Sequence, residues 1–308
     1  MSYVGAILAA GRGTRMGALG KQYPKALLPI ANRPLIEHQL QSLAGAGVKE
    51  IYVIVGDRAG QVERAVGDGS RFGVRVAYIE QGRSLGSADA VGQLAPFVDS
   101  PFVLMLGDYY VAHLDLPRLL QQAASLDCSV MLAKHERDGR ALADACALEV
   151  GDDGYVTRVV EKPKVPHTDL KGCGVFVLAP DFFDAVRRTP RTMLRDEYEL
   201  IVSIDLYVRD GHRVQVEEFA SWDANLTRPT DVLQCNLRWL DDEARSELVG
   251  ENVRLASGTR LERAVVGDDV LIQRPSVLKD VVVFEGVEIS GGEIECALVT
   301  PGGLLTCA

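Results

Sequence analysis

Residues 3–10, YVGAILAA, form an apolar run that stops abruptly at Gly11-Arg12-Gly13-Thr14-Arg15. An apolar run of this length bounded by glycine is predicted to be a buried strand. The glycines free the backbone for turns closed to other residues. A glycine loop after a strand presents N–H groups that can cradle a phosphate. Further short apolar runs follow at IYVIV (51–55), VRVAYIE (74–80) and FVLMLGD (102–108). Amphipathic stretches lie between them, such as 34–46 with Ile36, Leu40 and Leu43 on one face. This alternation predicts an α/β fold with a mainly parallel sheet, whose ligands gather at the carboxyl ends of its strands.

Two well-known phosphate loops do not fit. A Walker A loop needs Gly-Lys followed by Ser or Thr, whereas Gly20-Lys21 is followed by Gln22. A dinucleotide fingerprint needs a third glycine where Met16 stands. What remains is a glycine loop with one fixed cation, Arg15, and a second, Lys25, set behind Pro24.

From about residue 145 the rhythm changes to strands separated by turns, with one helical segment over 197–209 and a closing helix expected over 231–249. The last stretch differs again. Val265, Leu271, Val277, Val283 and Ile289 recur every six residues, punctuated by Gly267, Pro275, Gly286 and Gly291. Such spacing is the mark of a β-helix coil, although a simple meander also contains it. At about 18 residues per coil, residues 251–308 allow about three coils. That is short for an acyl-CoA site and suits assembly better, because a short solenoid leaves edges to cover.

Charge and composition narrow the function. The net charge is −10 with no basic stripe, so nucleic acid is not an expected partner. No apolar run reaches membrane-spanning length, and the N-terminus lacks a basic region before its apolar part, so a cytoplasmic location is expected. Six scattered cysteines without a CxxC pair suggest reduced thiols rather than zinc or redox chemistry. The five histidines have no metal-ligand spacing.

Several segments in order carry a more specific signal. GRGTRM (11–16), seven residues, then PKALLPI (24–30) resembles the signature of the sugar-1-phosphate nucleotidylyltransferases, also called nucleotide-sugar pyrophosphorylases. GDGSRFG (67–73) and YIEQGRSLGSADAV (78–91) resemble that family's nucleobase segment. LMLGDYY (104–110), VVEKPK (159–164), GCGVFVL (172–178) and WDANLTRPTDVLQCN (222–236) resemble its later motifs. The chain departs from the family after Asp223, where Asn225 replaces a glycine, at Ser87, where Thr is common, and at Gly172, where many members carry Asn.

The resemblance implies a mixed, mainly parallel Rossmann-like sheet flanked by helices, then a short left-handed parallel β-helix. It divides the chain into a catalytic domain, 1–240, and an assembly or regulatory domain, 251–308. The implied reaction transfers a nucleotidyl group from a nucleoside triphosphate to a sugar 1-phosphate and releases pyrophosphate. Because the attacking oxygen is already an anion, the chemistry calls for charge cancellation and alignment, not a general base. By resemblance, Ala10, Gly11, Gly13 and Thr14 wrap the triphosphate, Arg15 faces the leaving pyrophosphate, and Lys25 lies near the α-phosphate. Gln81 and Gly86 read the base, Glu161 and Gly174 contact the sugar, and Lys162 holds the sugar phosphate. Asp108 and Asp223 share Mg²⁺, a cation suited to carboxylate and phosphate oxygens.

The base segment leans towards dTTP or UTP with glucose 1-phosphate, with guanylyl transfer to mannose 1-phosphate as the alternative. A catalytically silent subunit that binds nucleotide-sugar is the reading from another class. A homo-oligomer is expected, and deletion of 251–308 is expected to leave chemistry possible while changing assembly.

Overall fold

The computed structural model describes residues 2–143, 145–193, 195–218 and 221–307. The chain gathers into two compact units, Met1–Arg12 with Gln39–Asp223, and Gly13–His38 with Ala224–Ala308.

The first unit is built on a nine-stranded sheet. The strands Phe102–Leu106, Val4–Ala9, Glu50–Val55 and Arg75–Glu80 lie side by side and parallel. Their β-branched, nearly continuous apolar sequences suit a sheet covered on both faces. Ala6, Ile7, Ile51, Val53, Val103 and Leu104 are fully buried. The other half of the sheet is laid on antiparallel. Leu170–Leu178 pairs antiparallel with Phe102–Leu106, Ser129–His135 and Cys146–Val150. Val214–Glu217 runs parallel to Ser129–His135. The predicted helical segments form over Leu35–Gly45 and Leu200–Arg209.

Glycines set two close crossings at the open end of the parallel strands. A Cβ on Gly107 would lie 2.5 Å from the Leu8 carbonyl oxygen, and one on Gly56 would lie 2.8 Å from that of Ala10. Neither position has room for a side chain, so the chain must pass these points as bare backbone.

The second unit combines an early segment with the end of the chain. The closing helix spans Pro229–Asp242, shorter than expected, because Glu247–Val249 turns into a strand. Asn236 is fully buried on this helix. Its amide nitrogen donates to the Pro29 and Val232 carbonyls at 2.9 Å each, and its amide oxygen accepts from the Ala31 N–H at 2.8 Å. These bonds hold the Pro29–Ile30/Arg33–Pro34 hairpin, whose corner residues Ala31 and Asn32 have φ of 49° and 59°.

The C-terminal strands stack as parallel layers consistent with a short β-helix. Glu247–Val249, Arg260–Val266, Ser276–Val283 and Gly292–Thr300 form one face. Arg254–Leu255, Leu271–Ile272 and Glu288–Ile289 form another. Gly303–Thr306 folds back antiparallel on the last long strand. The expected six-residue frame slips. Val265 stacks on Val282 and Leu298, advances of 17 and 16 residues, where three hexads would give 18. Arg263, Asp280 and Cys296, each inside one of these long strands, all have φ near 50°.

The Gly13–His38 segment folds with these strands. Asn32 donates to the Val266 carbonyl at 2.7 Å, and the Tyr23 and Phe284 rings meet edge-on at 5.3 Å. These contacts join residues more than 200 positions apart, so no local stretch of sequence announces them.

All six cysteines are free thiols. No helix among the described residues is long and apolar enough to cross a membrane.

Candidate functional site

In the first unit, the strand Val4–Ala9 delivers Ala10 and Gly11 to the open end of the sheet. Gly11 is exposed, and a Cβ built on it would meet nothing within 4 Å. It is absent from the positive-φ residues, so neither backbone conformation nor packing demands glycine there. The space beside Gly11 is open for another molecule to approach the backbone closely. Gly107, donating its N–H to the Leu8 carbonyl at 3.0 Å, sets the half-buried Asp108 beside the same strand end.

Gln81 is buried at the end of the Arg75–Glu80 strand. Its backbone N–H donates to the Val55 carbonyl at 2.8 Å. Its amide nitrogen donates to the Gly86 carbonyl at 3.1 Å and to the Asp89 carboxylate at 2.7 Å. Both amide hydrogens are therefore used, and the side-chain oxygen is the group left to accept. Gly86 has φ of 124°, and a Cβ there would lie 2.3 Å from the Tyr198 carbonyl oxygen. The Tyr198 N–H donates to the Leu85 carbonyl, and its own carbonyl accepts from the Ala88 N–H, each at 2.8 Å. The loop from Gln81 to Gly86 is thus latched to the chain before the 200–209 helix.

On the antiparallel side, Glu161 ends the Val156–Glu161 strand and lies 3.0 Å from the Lys162 ammonium. Arg195 reaches Glu161 at 3.9 Å and Glu199 at 3.3 Å. Burial, then the neighbouring Glu161 charge, raises the Glu199 carboxyl above its ordinary value. Lys162 has φ of 45°, a left-handed conformation that a side chain disfavours, and its N–H is tied to the Ala145 carbonyl at 2.8 Å. Strain of this kind tends to collect at functional positions. Gly174 lies against the Tyr109 ring. Burial, with the Cys146, Asp223, Asp108 and Glu161 charges after it, raises the Tyr109 hydroxyl far above its ordinary value, so this phenol stays protonated.

Asp223 is enclosed, its side chain 0% exposed. Its carboxylate oxygens lie 2.8 Å from the Lys171 ammonium and 3.1 Å from that of Lys134. Both lysines also reach Glu136, at 3.6 Å and 2.9 Å. Burial works against the Lys134 charge, yet Asp223 and Glu136 outweigh it and hold the ammonium above its ordinary value. Sequence reasoning singled out Asp223 but missed Lys134, Lys171 and Glu136. The available signal was a lysine inside each of two apolar strands, SVMLAKH and LKGCGVFVL.

In the second unit, Gly13 opens a turn over Thr14–Met16 with φ of 63°. Thr14 and Arg15 are exposed on that turn. A Cβ on Gly13 would lie 3.4 Å from Cγ of Lys25, so the lysine stem runs beside the loop. Pro24, with φ of −56°, precedes the turn that Lys25 begins. Gly13, Thr14, Arg15 and Lys25 thus group together in this unit. Ala10, Gly11, Gln81, Gly86, Asp108, Glu161, Lys162, Gly174 and Asp223 belong to the first.

Residues 4–241 match the Nucleotidyl transferase family across most of the chain. The chain belongs to that family. It is 32% identical to a glucose-1-phosphate thymidylyltransferase of Streptomyces antibioticus over 292 residues, 94% of this chain and 80% of that protein. It is 33% identical to a low-salt glycan biosynthesis nucleotidyltransferase of Haloferax volcanii over 245 residues, 78% of this chain and 67% of that protein. A crystal structure of UDP-glucose pyrophosphorylase complexed with UDP-glucose shares the fold, with a TM-score of 0.70 at 19% identity, covering 79% of this chain and 100% of that one. As a nucleotidyl transferase, the chain is an enzyme of phosphoryl-group chemistry.

Proposed function

We propose that this nucleotidyl transferase joins a nucleoside triphosphate to a sugar 1-phosphate, with dTTP or UTP and glucose 1-phosphate as its preferred pair. The observation that carries the base preference is the Gln81 amide, whose two hydrogens are spent on Gly86 and Asp89. The remaining oxygen accepts the imide N–H of thymine or uracil. Cytosine and adenine offer at that ring position a bare nitrogen, whose lone pair would face the oxygen in place of a donor. Guanine also carries a ring N–H, so guanylyl transfer to mannose 1-phosphate is the second reading.

In the proposed reaction, an oxygen of the sugar phosphate attacks the α-phosphorus. The new P–O bond forms as the bond to the β-phosphate oxygen breaks, and pyrophosphate leaves with the electron pair. No proton has to move. The Ala10–Gly11 and Gly13–Thr14 backbone, Arg15 and Lys25 bear the triphosphate charge, while Lys162 holds the attacking phosphate beside Glu161. Glu161 and the bare backbone at Gly174 take sugar hydroxyls.

A divalent cation goes with this family, and we take it to be Mg²⁺. Asp108 is a suitable oxygen donor at a strand end. Asp223 fits poorly, since both its oxygens face ammonium groups. A divalent ion placed there meets two like charges, each unit pair costing about 4 kcal/mol at about 4 Å in a protein-like medium. When bound, the ion would neutralise phosphate charge.

We further propose that residues 1–240 carry the substrate contacts, that the C-terminal strands support the Gly13–His38 segment and a homo-oligomer, and that the protein works in the cytoplasm. The test is pyrophosphate release from five triphosphates against several sugar 1-phosphates. dTTP or UTP with glucose 1-phosphate is expected to give the highest turnover. No pyrophosphate from any pair would support the silent-subunit reading instead.

A further inference from the structure

Lys171 and Lys134 stand directly opposite each other on neighbouring antiparallel strands, Leu170–Leu178 and Ser129–His135. Like charges in that position repel and destabilise a sheet unless something lies between them. Here two carboxylates do. Each ammonium touches both Asp223 and Glu136, with distances of 2.8, 3.1, 2.9 and 3.6 Å around the ring. The four charges sum to zero. The side chains are 0% exposed at Asp223, 6% at Lys171, 15% at Lys134 and 17% at Glu136. With so little water, an ammonium left without its carboxylate is costly. Asp223 therefore has a task that the fold itself sets.

Resting on the transferase reading above, we propose that Asp223 is the counterion of Lys134 and Lys171 and not a metal ligand, the divalent cation being held by Asp108 and the substrate phosphates. The two ammoniums supply beside Asp223 the same +2 charge that a divalent ion would bring. Asp223 and Glu136 are positioning residues: they keep two lysines side by side on a wall formed by the antiparallel strands. A metal on Asp223 would displace one ammonium from a nearly dry site and leave the lysine pair under-neutralised.

The test counts Mn²⁺ by electron paramagnetic resonance on the full chain with α,β-methylene-UTP, an unreactive triphosphate. Asp223→Asn is expected to leave the Mn²⁺ dissociation constant within about twofold of wild type, while Asp108→Asn raises it about tenfold or more. The double variant Lys134→Met, Lys171→Met releases Asp223 and is expected to bind one additional Mn²⁺. The proposal is overturned if Asp223→Asn weakens Mn²⁺ as strongly as Asp108→Asn does. It is equally overturned if the double variant keeps the wild-type stoichiometry, and this arm decides the matter should Asp223→Asn not fold. Failure of the transferase reading looks different: wild type would then show no analogue-dependent Mn²⁺ binding and release no pyrophosphate.

Discussion

Gly174 lies against the face of the Tyr109 ring, where a Cβ would come within 2.7 Å of the ring carbon Cγ. Its φ of 70° is a second constraint, independent of the first. Tyr109 is buried and cannot swing away cheaply. Gly174→Ala is therefore expected to destabilise the fold by about 2–4 kcal/mol, combining left-handed backbone strain with overpacking. Urea denaturation measures this. A loss below about 0.5 kcal/mol, the range of ordinary surface changes, would show that the ring yields freely.

Gly11 is the opposite case. Nothing lies within 4 Å of its would-be Cβ, and its backbone does not need glycine. Gly11→Ala is expected to leave stability within about 0.5 kcal/mol of wild type. The KM for the triphosphate should nevertheless rise about tenfold, because a methyl group would hold the phosphates away from the loop N–H groups. Parallel denaturation and initial-rate measurements check the split. A variant that loses stability while keeping its KM would assign Gly11 to the fold instead.

Gln81→Glu tests how the base is read. The substitution replaces a donor by an oxygen facing the Asp89 carboxylate, now 2.7 Å from the Gln81 amide nitrogen. Repulsion between the two carboxylates turns the side chain, and the bond to the Gly86 carbonyl is lost with the second amide hydrogen, so the acceptor is no longer held in place. Discrimination between UTP and CTP is expected to fall at least about tenfold in kcat/KM, the scale of one buried hydrogen bond. Unchanged discrimination would mean that Gln81 does not face the base.

How much of this was legible from sequence depends on the range of the interactions. The strands 4–9, 50–55, 75–80 and 102–106 could be read because burial on both faces makes them continuously apolar. The glycine loop and Gly107-Asp108 could be read because a strand end shows as a break in that pattern. The Lys134–Lys171 pair could not, since it depends on the register of two strands some 40 residues apart. The strain at Lys162 was equally hidden, because nothing local in EKP demands φ of 45°. The β-helix was recognised by its period, but the hexad count concealed coils of 17 and 16 residues.

The role given to the C-terminal strands changes for the same reason. Sequence alone suggested that deleting 251–308 would leave chemistry possible while changing assembly. Yet Asn32 bonds the Val266 carbonyl, and Tyr23 packs on Phe284, within the unit that also holds Arg15 and Lys25. Deletion removes both supports and uncovers the buried apolar side of the 229–242 helix. Pyrophosphate release by the truncated chain is expected to fall by more than about 100-fold, as reacting groups lose alignment. Near-normal turnover would return these strands to a purely assembly role.

His38 predicts a pH dependence of stability. Burial, opposed in part by the Ile30 carbonyl and reinforced by the Arg33 charge, lowers its value from 6.5 to about 4. Its hydrogen bonds suit the neutral ring: Nε2 donates to the Ile30 carbonyl at 2.9 Å, and Nδ1 accepts from Arg33 at 3.2 Å. A second proton would remove that acceptor and set two cations together. Above pH 6.5 the ring is neutral in both folded and unfolded chains, and the contribution is complete. As pH falls below 6.5, the unfolded chain takes up a proton that the folded chain refuses until about pH 4, so stability declines across that window. The total is at most roughly 3 kcal/mol, with a slope no steeper than about 1.4 kcal/mol per pH unit. Denaturant midpoints from pH 7 to pH 4 should show the decline in wild type and a flatter curve in His38→Gln. Identical curves for the two proteins would mean that the ring titrates at its ordinary value in the fold.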